Sequence, residues 1–106
     1  MDEEDKISVK SKLGLALQEI LSENKKSKKY NSVDSLRKLA AASGVEYSII
    51  QKISTGQRDP QFTTLVSLAE GLNLSIIQFL SFYENITELP VAKKKVIRTK
   101  KRSVKK

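Results

Sequence analysis

An all-α fold of five short helices is what this sequence predicts, on three observations. Apolar residues recur at helical spacing in five separate stretches, and no stretch alternates as a half-buried strand does. Two of the helical stretches are also joined very tightly, with one glycine near the middle. That pair is LRKLAAASGVEYSIIQKIST, residues Leu36 to Thr55, centred on Gly44.

The first helix is set by Leu13, Ala16, Leu17, Ile20 and Leu21, which form one apolar face and predict an amphipathic helix from roughly Ser8 to Asn24. The basic, polar run NKKSKKYNS follows, with Lys25, Lys26, Lys28 and Lys29 either a solubilising connector or a group approaching phosphate. Asn31, Ser32, Asp34 and Ser35 are N-cap candidates for the second helix, on which Leu36, Leu39 and Ala40 share a face. Ala40 is small enough to let a second helix approach. Gly44 permits a left-handed backbone that ends this helix and redirects the chain within three or four residues.

The third helix is two-faced. With about 100° per residue and Tyr47 at 0°, Gln51 falls near 40°, Thr55 near 80°, Ser48 near 100° and Lys52 near 140°. Ile49, Ile53 and Ile50 fall near 200°, 240° and 300°. The isoleucine face anchors the helix, and the hydrogen-bonding face is left to read something. A loop, TGQRDPQ, leads to a fourth helix built on Phe62, Leu65, Val66, Leu68, Ala69 and Leu72, ending at Gly71 and Asn73. Ser75 followed by Gln78 is a capping-box pattern that opens the fifth helix, which carries Ile76, Ile77, Phe79, Leu80 and Tyr83 and ends near Glu84. The remainder, PVAKKKVIRTKKRSVKK, holds too little apolar material to fold alone and reads as a disordered tail.

Charge divides the chain in the same way. The net +8 is uneven: Asp2, Glu3, Glu4 and Asp5 open it, and Pro90 to Lys106 carries nine Lys/Arg and no acid. The organisation expected is an acidic N-terminal segment at 1–7, one folded domain at 8–88 and a basic tail at 89–106. There is no cysteine and no histidine, which removes disulfides, cysteine nucleophiles and most transition-metal sites. No glycine-rich phosphate loop is present and the acids of the body are scattered singly, so no catalytic residues, no metal and no cofactor are expected. No apolar run reaches the roughly 20 residues that span a membrane. The acidic opening is unlike a signal peptide, and a cytoplasmic, nucleoid-associated protein of bacterial or phage origin is expected.

The stretch from Leu36 to Thr55 resembles the helix-turn-helix of phage-repressor/Cro-type DNA-binding proteins. The match lies in Ala40 as fifth residue, Gly44 as ninth, Ile50 as fifteenth and Ile53 as eighteenth of the twenty. TGQRDPQFTTLVSLAEGLNLSIIQFL is similar to that family's loop and last two helices, so the likeness runs from about Leu13 to Phe82. The resemblance implies a compact five-helix phage-repressor-like domain. In such a domain the helix of about residues 46–55 enters the major groove of double-stranded DNA, and two copies act as a two-fold dimer. It implies DNA contacts from Tyr47, Ser48, Gln51, Lys52 and Thr55, and backbone contacts from Gln57 and Arg58. Lys52 is suited to guanine O6/N7 and Gln51 to adenine N6/N7, while Thr55 either contacts DNA or caps its helix.

Two positions depart from the family. Glutamine is common at the first motif position, where it grips a phosphate; here it is Leu36, leaving Arg37 or Lys38 as substitutes. Serine or threonine is common just after the turn; here it is Glu46, a carboxylate that suits a helix N-terminus but repels phosphate, and that can accept from cytosine N4. Phe79, Phe82 and Tyr83 of the last helix are expected to be mostly core, but apolar residues cover most of that helix and a small body cannot bury them all, so the dimer seam is expected on it, through the same three residues. The basic tail is expected to add sequence-independent attraction to DNA. The function implied is a transcriptional regulator, repressor-like. The alternative is an antitoxin that binds a toxic protein partner and represses its own operon, which a short toxin-like reading frame beside the gene would reveal.

Overall fold

The computed structural model describes residues 1–27 and 32–87. Five helices occupy them: α1 (Glu3–Ser27), α2 (Leu36–Ser43), α3 (Tyr47–Ser54), α4 (Phe62–Gly71) and α5 (Ile76–Glu84). There is no strand among the described residues. Expectations about Lys28, Lys29, Asn31 and the tail from 89 onward fall outside the described residues. No single described helix is long and apolar enough to cross a membrane.

α1 is longer than its apolar stripe. It starts at Glu3 rather than near Ser8, and ends at Ser27 rather than Asn24. The reason is electrostatic and local. The Asp2 carboxylate accepts from the Asp5 backbone N–H at 2.9 Å, and Glu3, Glu4 and Asp5 in the first turn oppose the positive end of the helix dipole. Lys25 and Lys26 complement the other end. Hydrophobic periodicity sees only the buried half, from Leu13 to Leu21. The turns before it are exposed, with Ile7 and Val9 in solvent.

That buried half is one wall of the core. Leu17, Leu39, Ile50, Ile53, Leu68 and Phe79 are the largest side chains fully enclosed, so every helix contributes to a single cluster. Ser35 caps α2, its hydroxyl accepting from the Lys38 backbone N–H at 3.1 Å. The capping box of α5 is complete: the Ser75 N–H donates to Gln78 Oε1 at 2.8 Å, and the Gln78 N–H to Ser75 Oγ at 3.1 Å. The turn before it uses Asn73, not glycine, in the left-handed region. Gly71 is helical, and its role is contact. A Cβ there would lie 2.9 Å from the Ser43 side chain, so the glycine is what lets α4 lie against the end of α2.

One apolar residue stands elsewhere than its stripe suggested, and another is buried too completely for the seam expected of it. Phe62 is 61% exposed, because it is the first residue of α4 and precedes the turns that reach the core. Phe79 is wholly buried within this one chain and leaves no surface for a partner, so the expected seam does not run through it. Phe82 and Tyr83 are half-buried against the core, and the Lys12 ammonium sits 4.6 Å from the centre of the Tyr83 ring. The large apolar residue that α5 turns outward is Ile77, 75% exposed.

Candidate nucleic-acid interface

The candidate interface is built around α3 and the turn that delivers it. Gly44 takes φ 77°, the left-handed conformation, and its N–H closes α2 on the Ala40 carbonyl at 3.0 Å. A Cβ at Gly44 would meet nothing, so the glycine serves backbone conformation and not space. The Val45 N–H then donates to Ser43 Oγ at 3.2 Å. The Glu46 carbonyl accepts from the N–H groups of Ile49 and Ile50, both at 3.1 Å, which starts α3. Three residues therefore separate the two helices.

α3 presents the two faces that the helical wheel separates. Ile50 and Ile53 are fully buried, and Ile49 is partly buried against the core. Ser48, Gln51, Lys52 and Thr55 are exposed, and Tyr47 is half-buried. Burying the isoleucines fixes the rotation of the helix about its own axis, and with it the direction of the opposite face.

A second constraint fixes the far end. The backbone of α1 comes so close to α3 that a Cβ on Gly14 would lie 2.6 Å from the Ser54 carbonyl oxygen and 2.8 Å from that of Ile53. The Gln18 side-chain amide donates to the same Ser54 carbonyl. Ser54 itself is buried, its hydroxyl donating to the Gln51 carbonyl at 2.8 Å. Both carbonyls belong to the last turn of α3: that of Ile53 accepts from the Gly56 N–H at 3.1 Å, and that of Ser54 takes its partner from α1. Gly56, at φ 79°, continues the approach, its missing side chain leaving room for Ser11. These residues fix where the last turn of α3 lies. One signal in the sequence marks them: a glycine in the middle of a helical pattern is costly and calls for a packing reason.

The remaining candidates fall into groups. Arg37 and Tyr47 are brought together, the guanidinium carbon lying 4.4 Å from the ring centroid. Lys38 instead pairs with Asp34 one turn earlier, at 3.1 Å. Leu36, where the resemblance would lead one to expect glutamine, packs against the core. Thr55 serves as the C-cap of α3: its hydroxyl donates to the Gln51 carbonyl at 3.1 Å and accepts from the Gln57 side-chain amide at 2.9 Å. Gln57 also closes the loop through its N–H, which donates to the Lys52 carbonyl at 2.8 Å. Arg58 is exposed in the loop that follows. Glu46 occupies the N-cap position of α3, and its carboxylate makes no capping bond there.

Residues 34–79 match the model of a helix-turn-helix family, of the Cro/C1 type. The matched segment begins just ahead of α2 and ends within α5, so it takes in the turn, α3, the loop and α4. No curated protein and no solved structure matches the chain.

Proposed function

We propose that this chain, a Cro/C1-type helix-turn-helix protein by its residues 34–79 and hence a DNA-binding transcriptional regulator in general terms, reads a specific double-stranded sequence and represses by occupying it. The helix of about residues 46–55 enters the major groove. Ser48, Gln51 and Lys52 face base edges, with Gln51 suited to adenine and Lys52 to guanine. Arg37, Gln57 and Arg58 hold the phosphate backbone on either side, and Lys38 adds charge nearby.

One observation carries this reading. α3 is rotationally locked by two fully buried isoleucines, while its opposite face is a strip of exposed hydrogen-bonding side chains with no packing task. A surface helix held this firmly, with Gly14 and Gln18 fixing its last turn, is a rigid platform for groove recognition.

The protein acts as a two-fold dimer, its copies meeting on the outward face of α5 around Ile77, with Phe82 and Tyr83 at the margin. An exposed isoleucine opposite the buried Phe79 supports this placement. The two copies of α3 then stand about 34 Å apart, one turn of DNA. The basic tail strengthens binding to any duplex. Deleting residues 93–106 is expected to lower affinity for all sequences alike and flatten the salt dependence, each lost phosphate contact removing a slope of about 0.9.

Selection of binding sites from random duplexes tests the reading as a whole. A palindromic consensus with half-sites one helical turn apart is expected. Enrichment of no sequence above background would refute it.

A further inference from the structure

The first motif position is apolar here, which removes the usual means of tying the start of the motif to a phosphate. Leu36 packs against the core and has no polar group to offer. Two cations follow it on α2. Lys38 is directed back to Asp34, just ahead of its own helix. Arg37 crosses to α3 and lies over the ring of Tyr47, with 4.4 Å between guanidinium carbon and ring centroid.

The stacking has a chemical consequence. A guanidinium that rests on a ring uses its flat face for the contact, and its N–H donors point outward in its own plane. Arg37 is exposed, so those donors remain available to phosphate oxygens. Tyr47 is the first residue of α3, at the end of a recognition helix whose N-terminal residues meet base edges. With one face of the ring covered by Arg37, Tyr47 is still only half-buried, and the exposed part of its ring is apolar surface. Such an apolar surface in the major groove finds one complementary group on the bases, the C5 methyl of thymine.

We infer that Arg37 is a positioning residue for Tyr47, and that the pair reads a thymine methyl while Arg37 binds a neighbouring phosphate. The inference rests on α3 entering the major groove. It adds that backbone grip and base reading are coupled through a single side-chain contact. An arginine that only neutralised phosphate would raise affinity for every duplex equally. An arginine that also orients the tyrosine makes selectivity depend on it.

The experiment uses the full chain and the duplex found by site selection, with each thymine replaced in turn by deoxyuridine, which removes only the methyl. One thymine is expected whose replacement weakens the unaltered protein about fourfold, the worth of one buried methyl group. Tyr47→Ala abolishes that sensitivity. Arg37→Ala reduces it to less than twofold and also lowers the salt slope by about 0.9. Arg37→Met retains an apolar chain over the ring without the charge, so it loses the salt slope but keeps the methyl sensitivity. Thermal melts confirm that all three variants fold. If Arg37→Ala binds with undiminished methyl sensitivity, the coupling is refuted while groove reading stands. If no thymine is sensitive in the unaltered protein although a consensus exists, the methyl assignment is refuted. Absence of any consensus refutes both the coupling and the groove reading beneath it.

Discussion

The two ends of α3 are held by different means. Its C-terminal end is fixed backbone to backbone. Gly14 lets α1 touch the carbonyls of Ile53 and Ser54, Gln18 donates to the Ser54 carbonyl, and Gly56 continues the close approach beside Ser11. Its N-terminal end is held lightly. Glu46 contributes no side-chain cap, and Tyr47 is steadied by an exposed arginine from the neighbouring helix. Backbone contacts of this kind cannot be made with the helix rotated or shifted along its axis. A side-chain stack on an aromatic ring tolerates adjustment. The contrast leaves the far end of α3 fixed in register and its leading end steadied by side-chain contacts.

Breaking the fixed end should have the largest effect. Ile53→Ala removes a fully buried side chain beneath it and is expected to destabilise the fold by about 2–5 kcal/mol. Urea unfolding measures this, and any loss of DNA binding should track the loss of folded protein. Gly14→Ala is expected to come next, at about 1–3 kcal/mol. The added methyl meets backbone carbonyls that cannot rotate away, and this outweighs the better helix propensity of alanine. A melt unchanged or raised by Gly14→Ala would mean that the two helices separate at little cost, and the fixed end would lose its distinction. Gln18→Ala removes one partly buried hydrogen bond and should cost about 1 kcal/mol. On the light end, Arg37→Ala should leave stability within about 0.5 kcal/mol. If instead it proves as costly as Gly14→Ala, the two ends are equally fixed and the comparison fails.

The two faces of α3 and most of the architecture were legible in the sequence for physical reasons. Periodicity marks faces that become buried, so the stripes of α1 through α5 stood out. Gly44 and the Ser75–Gln78 pair stood out because turn and cap chemistry act over three or four residues. What failed had causes outside that range. The start of α1 is set by Asp2 and the acidic first turn, where no apolar stripe exists to be counted. Phe79 and Ile77 lie two residues apart on one apolar helix, and only the packing of the other helices decides which of them is enclosed. Phe62 matches the stripe of α4 but precedes its contact with the core. The Gly14–Ser54 contact joins residues forty positions apart, and a single sequence carries no sign of which partner a mid-helix glycine admits. The stack of Arg37 on Tyr47 likewise needs the angle between α2 and α3 to be known.

The proposed dimer offers a smaller test on a surface away from both ends. Ile77→Asp should leave the melt of the chain nearly unchanged, since the residue is exposed, while shifting sedimentation at micromolar protein from dimer to monomer. An unaltered dimer would move the seam off this face.

The most direct test of the central claim, that the outer face of α3 reads bases while the inner face only holds it, is an affinity profile. Binding of the unaltered protein, Gln51→Ala and Lys52→Ala would be measured across duplexes that carry every single base-pair change in the selected site, with a melt for each protein. The expected result is an unchanged melt, and a loss of about 1–3 kcal/mol of discrimination confined to one or two base pairs, different for each variant. A uniform weakening on all duplexes with base preference intact, or a lowered melting temperature for Lys52→Ala, would contradict it.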